Sequence, residues 1–519
     1  MHRGAAGRGE DAAGREDVGA GAGSGIGDVC VIGAGFSGLA VGRALRGRGI
    51  PFTLVDRGEG VGGVWHVPAG ERAGPTPGYR SLHLNTSRDA TGFAGFPMPR
   101  SFPRFPRHTE VAAYLDDFAR AHDFRRDIEL RTEVLAVRPC AGGSRTGAAP
   151  GPVPVPAGGR RDGRKGSARG ERAREGNAWE VISRNHLGVV ACRRFRHLVV
   201  AAGNHWTPRL PEPGIAGSET FSGEIVHAVD YADAGRFAGR RVVVLGAGNS
   251  ACDIAVNLSH TAALTILAMR RGIHVAPKTI MGVPVDEIAG SAWWTRLPLR
   301  VQQGLADLTL RIVRGPLAAY GLPEPDHRVF AGPLTISDDL LPRLSHGAIV
   351  VKPMIERFTA DTAHFADGTH VRVDAVVYCT GYRMSLPFVP RDALFSDAGE
   401  VALYRRVVSP SYAGLYFAGL VRGVIRPVRA LTRLFEAQAE WIADLVDGAA
   451  VLPAAGEMAA EIAAHLAVTR RHGTAAEDSV RVDVADHLRA LRRERVAGSK
   501  RTPIRPGRPT DTGPSRAPV

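Results

Sequence analysis

Two glycine-rich sequences in this chain have the composition of dinucleotide-binding loops. They read Gly33-Ala34-Gly35-Phe36-Ser37-Gly38 and Gly246-Ala247-Gly248-Asn249-Ser250-Ala251. Each directly follows a short run of β-branched apolar residues, which predicts a strand that leads into a helix through the glycine turn. In that arrangement backbone N–H groups approach a pyrophosphate, and the helix N-terminus adds partial positive charge. Two such loops predict electron transfer between two bound dinucleotides.

The first loop lies in a complete unit of strand, helix and strand. Residues 28–33 and 52–56 are predicted as buried parallel strands, and residues 37–46 as the helix between them. Asp56 follows the first glycine at about the 20-residue distance expected of a carboxylate that binds a ribose hydroxyl. Glycines, strand, helix and acid together predict a dinucleotide site far more specifically than a glycine turn does.

The second loop lies in a similar unit, with strands predicted at residues 241–246 and 264–269 and a helix at residues 249–258. Arg270 and Arg271 stand where an NAD-binding unit carries its acid. Guanidinium groups suit the 2′-phosphate of NADP, which accepts paired hydrogen bonds. The second site is therefore predicted to prefer NADP; two surface arginines in an Arg-rich chain are the alternative.

The net charge of +14 is concentrated in two segments that are poor in large apolar residues. Residues 160–175 contain seven Lys or Arg and three acids, and residues 492–519 contain eight and two. Their Gly, Pro, Ser and Arg content is typical of disordered chain, so the charge does not predict a nucleic-acid partner. Without a signal-like segment in residues 1–27 or an 18-residue apolar run, we expect a cytoplasmic protein with no transmembrane anchor.

The cysteines exclude several kinds of site. Five are scattered without a C-x-x-C pair, at Cys30, Cys140, Cys192, Cys252 and Cys379. This pattern favours reduced thiols over a disulfide framework or a zinc site, and it lacks the redox-active pair of dithiol flavoenzymes. No metal site is predicted, and no HExxH or GxSxG sequence supports hydrolytic chemistry.

A motif between the two units identifies a family. Phe221, Gly223, His227 and Tyr231 form the pattern F-x-G-x-x-x-H-x-x-x-Y. With it, the chain resembles the flavin-containing monooxygenases, which are class B flavoprotein monooxygenases, from Asp28 to about Leu452. Further matching stretches are Gly62-Gly63-Val64-Trp65, Asn85-Thr86-Ser87, Phe96-Pro97-Met98-Pro99, Cys379-Thr380-Gly381-Tyr382 and Phe435-Glu436-Ala437-Gln438-Ala439-Glu440-Trp441.

The resemblance implies two cofactors and a reaction. FAD would occupy the first loop and NADPH the second, with NADP+ retained during turnover. NADPH would reduce FAD, and the reduced flavin would form a C4a-hydroperoxide with O2. A nucleophilic nitrogen or sulfur of a small organic substrate would then take one oxygen atom.

The resemblance also implies which residues form the site. Asn85 is the predicted catalytic residue beside the flavin, although such a residue is otherwise common in turns and caps. Phe221, Gly223, His227 and Tyr231 would support a hinge between domains or pack the linker. The predicted cofactor contacts are Gly33, Gly35, Phe36, Ser37, Gly38, Asp56, Val64, Trp65, Asn85, Thr86, Val134, Gly246, Gly248, Asn249, Ser250, Ala251, Arg270, Arg271, Thr380, Gly381 and Tyr382.

The predicted fold class is α/β, with two Rossmann-like dinucleotide-binding domains and C-terminal helices. The NADP domain is inserted in the FAD domain. The predicted division is residues 1–27 as a disordered segment, 28–205 as the first part of the FAD-binding domain with a disordered insertion at 141–176, 206–374 as the NADPH-binding domain with the motif linker, 375–450 as the second part of the FAD-binding domain, 451–497 as C-terminal helices and 498–519 as a disordered basic tail.

Two features leave the substrate open. Tyr231 stands where Baeyer-Villiger relatives carry tryptophan, which favours heteroatom oxygenation, whereas residues 274–282 resemble plant-type indole-pyruvate monooxygenases. Oxygenation of a carbonyl substrate is thus one alternative, and a non-oxygenating flavoprotein that binds FAD and NADPH is another. Trp293 and Trp294 could line the substrate pocket, pack in the core or lie on a membrane-facing loop. Oligomeric state is also open, a homodimer included.

Overall fold

The computed structural model describes residues 26–68, 76–140, 178–332, 334–423, 431–471, 473 and 475–501. The disorder predicted for residues 1–27, 141–176 and 498–519 lies almost entirely outside these ranges. Two predicted boundaries shift slightly at their edges. The first strand already begins at Gly27, and the last helix continues to Lys500.

A seven-stranded sheet forms the first domain. Its strands are rich in β-branched residues because their parallel part is buried on both faces, as the unexposed side chains of Val29 and Val31 illustrate. The parallel strands, in spatial order, are Ile128–Glu129, Phe52–Val55, Gly27–Ile32, Val190–Val200 and Leu415–Phe417. An antiparallel extension adds Trp179–Asn185 and the edge strand Thr132–Pro139.

A second, five-stranded parallel sheet forms the other nucleotide domain. Its strands in spatial order are Val350–Lys352, Leu264–Ala268, Arg241–Leu245, Ala375–Tyr378 and Glu224–His227. The predicted boundary between residues 374 and 375 is therefore wrong. The strand Ala375–Tyr378 lies between two strands of this sheet, where Val376 and Val377 are fully buried. An apolar run alone does not tell which of two parallel sheets it joins.

The chain crosses between the two domains through a small ribbon. The outgoing segment Thr207–Pro208 pairs antiparallel with the returning segment Tyr382–Arg383. Leu415–Phe417 then rejoins the first sheet beside Val190–Val200. The prediction of one nucleotide domain inserted in another is confirmed in this topology.

The second domain carries two additions. A helical one lies between the strands His274–Ala276 and Leu334–Ile336, which pair in parallel, and it begins with the hairpin of Thr279–Ile280 and Val283–Pro284. The other is a three-stranded antiparallel sheet of Ile355–Thr359, Thr362–Phe365 and His370–Arg372. At the C-terminal end, Arg422–Gly423 pairs with Arg481–Val482.

The helices cover the sheets and build the C-terminal region. Phe36–Arg46 and Leu431–Asp447 pack in one core, since Leu39 and Leu434 belong to the same buried cluster. The α-helices are Phe36–Arg46, Arg88–Thr91, His108–Ala121, Asn249–Leu258, Val285–Ala289, Ala292–Arg296, Leu299–Arg314, Leu340–Ser345, Leu431–Asp447, Ala455–Thr469, Ala476–Ser479 and Val484–Lys500. Among the described residues, no helix has the length and apolar content needed to span a bilayer.

Candidate functional site

The first glycine loop has no room for side chains at two of its positions. Gly33 has a φ of +111°, and a Cβ there would overlap the carbonyl oxygen of Ala201. A Cβ at Gly38 would overlap the carbonyl oxygen of Gly33, because the helix that begins at Phe36 packs closely on the turn. Both positions therefore require glycine for the strand-to-helix turn.

Backbone N–H groups at the start of this helix are free to bind an anion. Gly35 is the N-cap and makes no side-chain capping bond, so N–H groups of the first turn have no partner within the helix. A second glycine pair lies alongside, since a Cβ at Gly35 would be 3.8 Å from the Cα of Gly63. The 3-10 helix Gly63–Trp65 places Val64 and Trp65, both half-buried, beside the loop. These features fit a pyrophosphate.

Asp56 holds the loop from the next strand. Its Oδ2 accepts a hydrogen bond from the N–H of Ala34 and its Oδ1 one from the N–H of Gly58, both at 2.6 Å. Burial raises the pKa of Asp56, although the two N–H donors act in the opposite direction. Each carboxylate oxygen keeps a further lone pair, so the group could still accept a ribose hydroxyl.

The sequence patterns missed two residues at this site. A Cβ at Gly419 would overlap the Ser37 hydroxyl, so the end of the strand Leu415–Phe417 closes over the loop. The N–H of Gly419 donates to Gln438 Oε1 at 2.9 Å. Gln438 is unexposed, and its Nε2 has no hydrogen-bond partner among the described residues. Gln438 lay within a family-matching stretch, which was the available signal.

Val134 lies farther along the same sheet. It belongs to the edge strand Thr132–Pro139, next to a register shift between Val134 and Ala136. An edge strand with such an irregularity leaves backbone groups without a strand partner. Its predicted contact with cofactor would use those backbone groups, because the side chain is 9% exposed.

The second glycine loop is open by comparison. Gly246 has a φ of +145°, and a Cβ there would overlap the carbonyl oxygen of Cys379. Gly248 is exposed, with nothing within 4 Å of a Cβ, and it caps the helix Asn249–Leu258 without a side-chain bond. Asn249 Oδ1 accepts from the N–H of Ile336 at 2.9 Å, and Ser250 is half-buried. Ala251 is completely buried, which suits its replacement of the third glycine.

Arg270 and Arg271 follow the strand Leu264–Ala268, and both are exposed. Arg271 Nε lies 4.0 Å from Asp326 Oδ2. Arg270 makes no hydrogen bond or ion pair with a described residue. Its guanidinium is thus available to a phosphate at the position that the sequence predicts.

His227 of the linker motif forms a hydrogen bond to the ribbon between the domains. Its Nε2 donates to the carbonyl oxygen of Gly381 at 3.0 Å, and its Nδ1 accepts from the N–H of Val229 at 3.2 Å. The two bonds fix the tautomer with the proton on Nε2. Burial lowers the pKa of His227. The same Gly381 oxygen accepts from the N–H of Arg209 at 3.0 Å.

The other motif residues pack the second domain. Tyr231 is 1% exposed, and its hydroxyl donates to Asn257 Oδ1 at 2.5 Å. The ring of Phe221 lies 4.6 Å from that of Phe358, and a Cβ at Gly223 would be 2.8 Å from the carbonyl oxygen of Asp374. Of the two roles left open, His227 fits the hinge, and the other three fit packing.

The predicted contacts in the Cys379-Thr380-Gly381-Tyr382 stretch lie at this ribbon. Thr380 Oγ1 donates to the carbonyl oxygen of Arg209, and the Tyr382 ring meets the His227 ring edge-on at 5.2 Å. Because the Cys379 carbonyl lies under Gly246, the stretch adjoins the second glycine loop. These residues are placed where the domains meet.

An apolar cavity of about 360 Å³ lies mainly within the helical addition. Outside that addition it is lined by Thr86 of the first domain and by Gly423, Leu431 and Val484 of the C-terminal region. Among its other lining residues are Ile280, Asp286, Trp293, Trp294 and Phe330. Both tryptophans line this cavity. Trp294 also belongs to a buried apolar cluster, whereas Trp293 is 56% exposed, so the structure does not reduce the three placements to one. A cavity of this size and character suits a small organic molecule.

Asn85 adjoins Thr86 in the loop that precedes the helix Arg88–Thr91. The half-buried side chain of Asn85 makes no hydrogen bond with a described residue. The capping role belongs to Ser87 instead, whose Oγ accepts from the N–H of Ala90 at 3.2 Å. The Asn85 amide is therefore available to a ligand, as a turn or cap residue would not be.

Within the described ranges, no three or more His, Cys, Asp or Glu side chains form a group that could hold a metal ion. The chemistry that these described residues offer comes from backbone N–H groups, the Asn85 amide, the Asp56 carboxylate and exposed guanidinium groups. Such a donor set suits two dinucleotides and an apolar guest.

The chain is similar to known proteins over most of its length. The sequence model of the flavin-binding monooxygenase-like family matches residues 27–150 and 168–499. The protein named flavin-containing monooxygenase 5 from Oryctolagus cuniculus is 30% identical over 439 residues, covering 84% of this chain and 76% of its own length. Its Homo sapiens counterpart is 28% identical, with coverages of 89% and 81%.

Solved structures agree on the fold. The S-allyl-L-cysteine S-oxygenase from Allium sativum superposes with a TM-score of 0.61 and 22% identity, covering 92% of this chain and 89% of its own. A cyclohexanone monooxygenase with bound ε-caprolactone superposes with a TM-score of 0.63 and 17% identity, covering 91% and 98%. At these identities the two likenesses concern architecture alone.

Proposed function

The chain belongs to the flavin-binding monooxygenase-like family, and on that premise we propose that it transfers one oxygen atom of O2 to a nucleophilic nitrogen or sulfur of a small, largely apolar molecule. Members of this family are FAD- and NADPH-dependent oxidoreductases, and this chain is one of them. When bound, FAD would accept a hydride from NADPH and then activate O2 for the transfer.

The observation that carries the proposal is the unpartnered amide of Asn85 next to an apolar cavity. Thr86 lines that cavity, so Asn85 lies at the junction of the first domain with the space for the guest. An amide offers both donors and an acceptor, and could bind the flavin or the nicotinamide at that junction. Apolar walls that include Trp293 and Phe330 would exclude water from the reacting atoms.

The remaining residues would hold the two cofactors. The free N–H groups at Gly35 and the following turn would bind the FAD pyrophosphate, and Asp56 its ribose. The N–H groups after Gly248 would bind the NADPH pyrophosphate, and Arg270 its 2′-phosphate. His227 would keep the ribbon between the two domains in register through Gly381.

Replacing Asn85 by Ala tests the proposal. With methyl phenyl sulfide, the wild type should form close to one sulfoxide per NADPH oxidised. Asn85→Ala should still oxidise NADPH but release most of the oxygen as H2O2, because the amide that shelters the reacting centre is gone. Asn185→Ala is a control, since Asn185 lies in an exposed turn remote from both loops in the chain.

Three results would contradict the proposal. Unchanged coupling in Asn85→Ala would remove Asn85 from the chemistry. A wild type that converts cyclohexanone to its lactone but leaves the sulfide untouched would favour carbonyl oxygenation. Stoichiometric H2O2 with every amine, sulfide and ketone would favour a flavoprotein that does not oxygenate.

A further inference from the structure

One segment of the helical addition, residues 278–286, forms hydrogen bonds to the loop of residues 84–87 on both sides of Asn85. Lys278 Nζ donates to the carbonyl oxygen of Leu84 at 3.3 Å. Asp286 Oδ2 accepts from both the N–H and the Oγ–H of Ser87, each at 2.9 Å. Leu84 and Ser87 directly flank Asn85 and Thr86, so residues of the second domain bracket the predicted catalytic position.

The hydrogen-bonded contact between Asp286 and Ser87 is buried. Asp286 is 4% exposed and Ser87 is unexposed. The other carboxylate oxygen, Oδ1, has no hydrogen-bond partner among the described residues, so the two bonds from Ser87 are what compensates the buried group. A charge in such surroundings stabilises the one loop geometry that brings both donors to it.

A third contact reinforces the pairing of segment and loop. Arg104 Nη1, from the first domain, donates to the carbonyl oxygen of Gly282 at 2.5 Å. Lys278 Nζ also lies 5.3 Å from the centre of the Phe105 ring. The segment therefore meets the first domain along its length and not at one point.

The same segment forms part of the cavity wall. Ile280, Val285 and Asp286 line the cavity, as does Thr86 of the loop of residues 84–87. A small molecule in the cavity would consequently touch the loop at Thr86 and the segment at Asp286. The place of Asn85 and the wall of the guest site are thus fixed by one set of bonds.

We propose that Asp286, assisted by Lys278, is a positioning residue that holds residues 84–87 so that the Asn85 amide faces the reacting atoms. This inference rests on the role proposed above for Asn85. In this role Asp286 acts through its bonds to the loop, and its side chain also forms part of the cavity wall. Nothing in the glycine fingerprints pointed to it.

Hydrogen exchange at the Ser87 amide, measured on the flavin-loaded enzyme, tests the contact between Asp286 and the loop directly. In Asp286→Ala the peptide that contains Ser87 should exchange about tenfold faster or more, since a fully buried N–H loses its acceptor. Asp286→Asn should keep near-native protection, because its Oδ1 can accept both bonds from Ser87. Glu287→Ala, the adjacent residue on the same short helix, is the matched control and should leave the exchange unchanged.

The second measurement is the coupling, which is the amount of sulfoxide formed per NADPH oxidised. Asp286→Ala should lower sulfoxide formed per NADPH toward the level of Asn85→Ala while KM for NADPH stays within about twofold, and Asp286→Asn should restore it. Should Asp286→Ala fail to fold, Lys278→Met keeps the aliphatic stem and should also lower the coupling, to a smaller extent.

The outcomes separate the two proposals. If the Ser87 amide exchanges at the wild-type rate in Asp286→Ala, the proposed hold of Asp286 on the loop is overturned. Suppose that Asn85→Ala lowers the sulfoxide formed per NADPH. If Asp286→Ala then exchanges faster at Ser87 but still forms the wild-type amount of sulfoxide per NADPH, the positioning role is overturned. If Asn85→Ala itself stays coupled, the function proposed for Asn85 has failed, and the positioning role fails with it.

Discussion

The two glycine loops share a fingerprint but differ in how far the rest of the chain encloses them. In the first, Gly33 and Gly38 are buried and tightly packed, and the Gly62-Gly63 pair lies alongside. In the second, Gly248 and Asn249 are exposed, and a Cβ at Gly248 would meet nothing within 4 Å. The same local motif therefore yields a closed site or an open one according to the elements that approach it.

The difference matches what two cofactors in one reaction require. A closed site suits FAD, which stays with the protein through many turnovers. An open site suits NADPH, which must arrive from solvent and finally leave as NADP+. In the proposed assignment, the Asp56 carboxylate would bind a ribose hydroxyl and the Arg270 and Arg271 guanidinium groups would bind a phosphate.

The largest effect is expected from a methyl group placed in the first loop, and the same change in the second loop is the comparison. Gly38→Ala should lose FAD, with affinity reduced about 100-fold or more, because the new Cβ overlaps the Gly33 carbonyl and overpacking of this kind costs about 1–3 kcal/mol or more. Gly248→Ala should remain yellow and raise KM for NADPH by up to about tenfold, since its methyl only obstructs the pyrophosphate. Flavin absorbance of the purified proteins and steady-state kinetics measure the two effects.

A Gly38→Ala protein as yellow as the wild type would contradict the closed first site. If Gly38→Ala does not fold by circular dichroism, Gly35→Ala replaces it. Its Cβ would lie at ordinary contact distance, 3.8 Å, from Gly63. It should fold and still bind FAD more weakly than Gly248→Ala does.

An intermediate effect is expected at the open site. Arg270→Ala should lower the preference for NADPH over NADH about 10- to 100-fold, which is the value of a charge-assisted hydrogen-bonded pair to phosphate. Arg271→Ala should have a smaller effect, because Asp326 lies 4.0 Å from its guanidinium. Ratios of kcat/KM for the two nucleotides measure the preference, and an unchanged ratio in Arg270→Ala would exclude it from the phosphate site.

The smallest effect concerns the ribbon that joins the two regions. Since burial lowers the pKa of His227 in the folded protein, its contribution to stability is present above pH about 6.5 and is lost as pH falls through the folded-state pKa. His227→Gln should therefore be less stable than the wild type by about 1–2 kcal/mol at pH 8, and the gap should narrow toward pH 5. Denaturant titrations at the two pH values measure it.

His346→Gln, at an exposed histidine, is the control for that comparison. A gap between wild type and His227→Gln that widens at low pH would contradict the tautomer assigned to His227, in which Nδ1 accepts from Val229.

The sequence predicted those parts of the molecule that local patterns determine. The strands that precede both glycine loops and the helices that follow them occur where expected, within a residue or two. The strand Ala375–Tyr378 was assigned to the wrong domain, because its partners are distant in sequence. Long-range pairing is not encoded in a short apolar run.

The site was predicted in the same uneven way. Motifs and the family resemblance singled out Asn85, Asp56 and Arg270, whose roles stay predictions. The closure of Gly419 over Ser37 could not be predicted, because it depends on how two segments meet in space. For the same reason Asp286 stood out only once its bonds to Ser87 were known. Trp293 and Trp294 illustrate a middle case, since the sequence singled them out without deciding their surroundings.

The most direct measurement is the fate of labelled dioxygen. With 18O2, NADPH and methyl phenyl sulfide, about one 18O atom should enter the sulfoxide for each NADPH oxidised, and the flavin should remain on the protein after gel filtration. NADPH consumption that yields labelled H2O2 and unlabelled or no sulfoxide would contradict the proposed oxygen transfer.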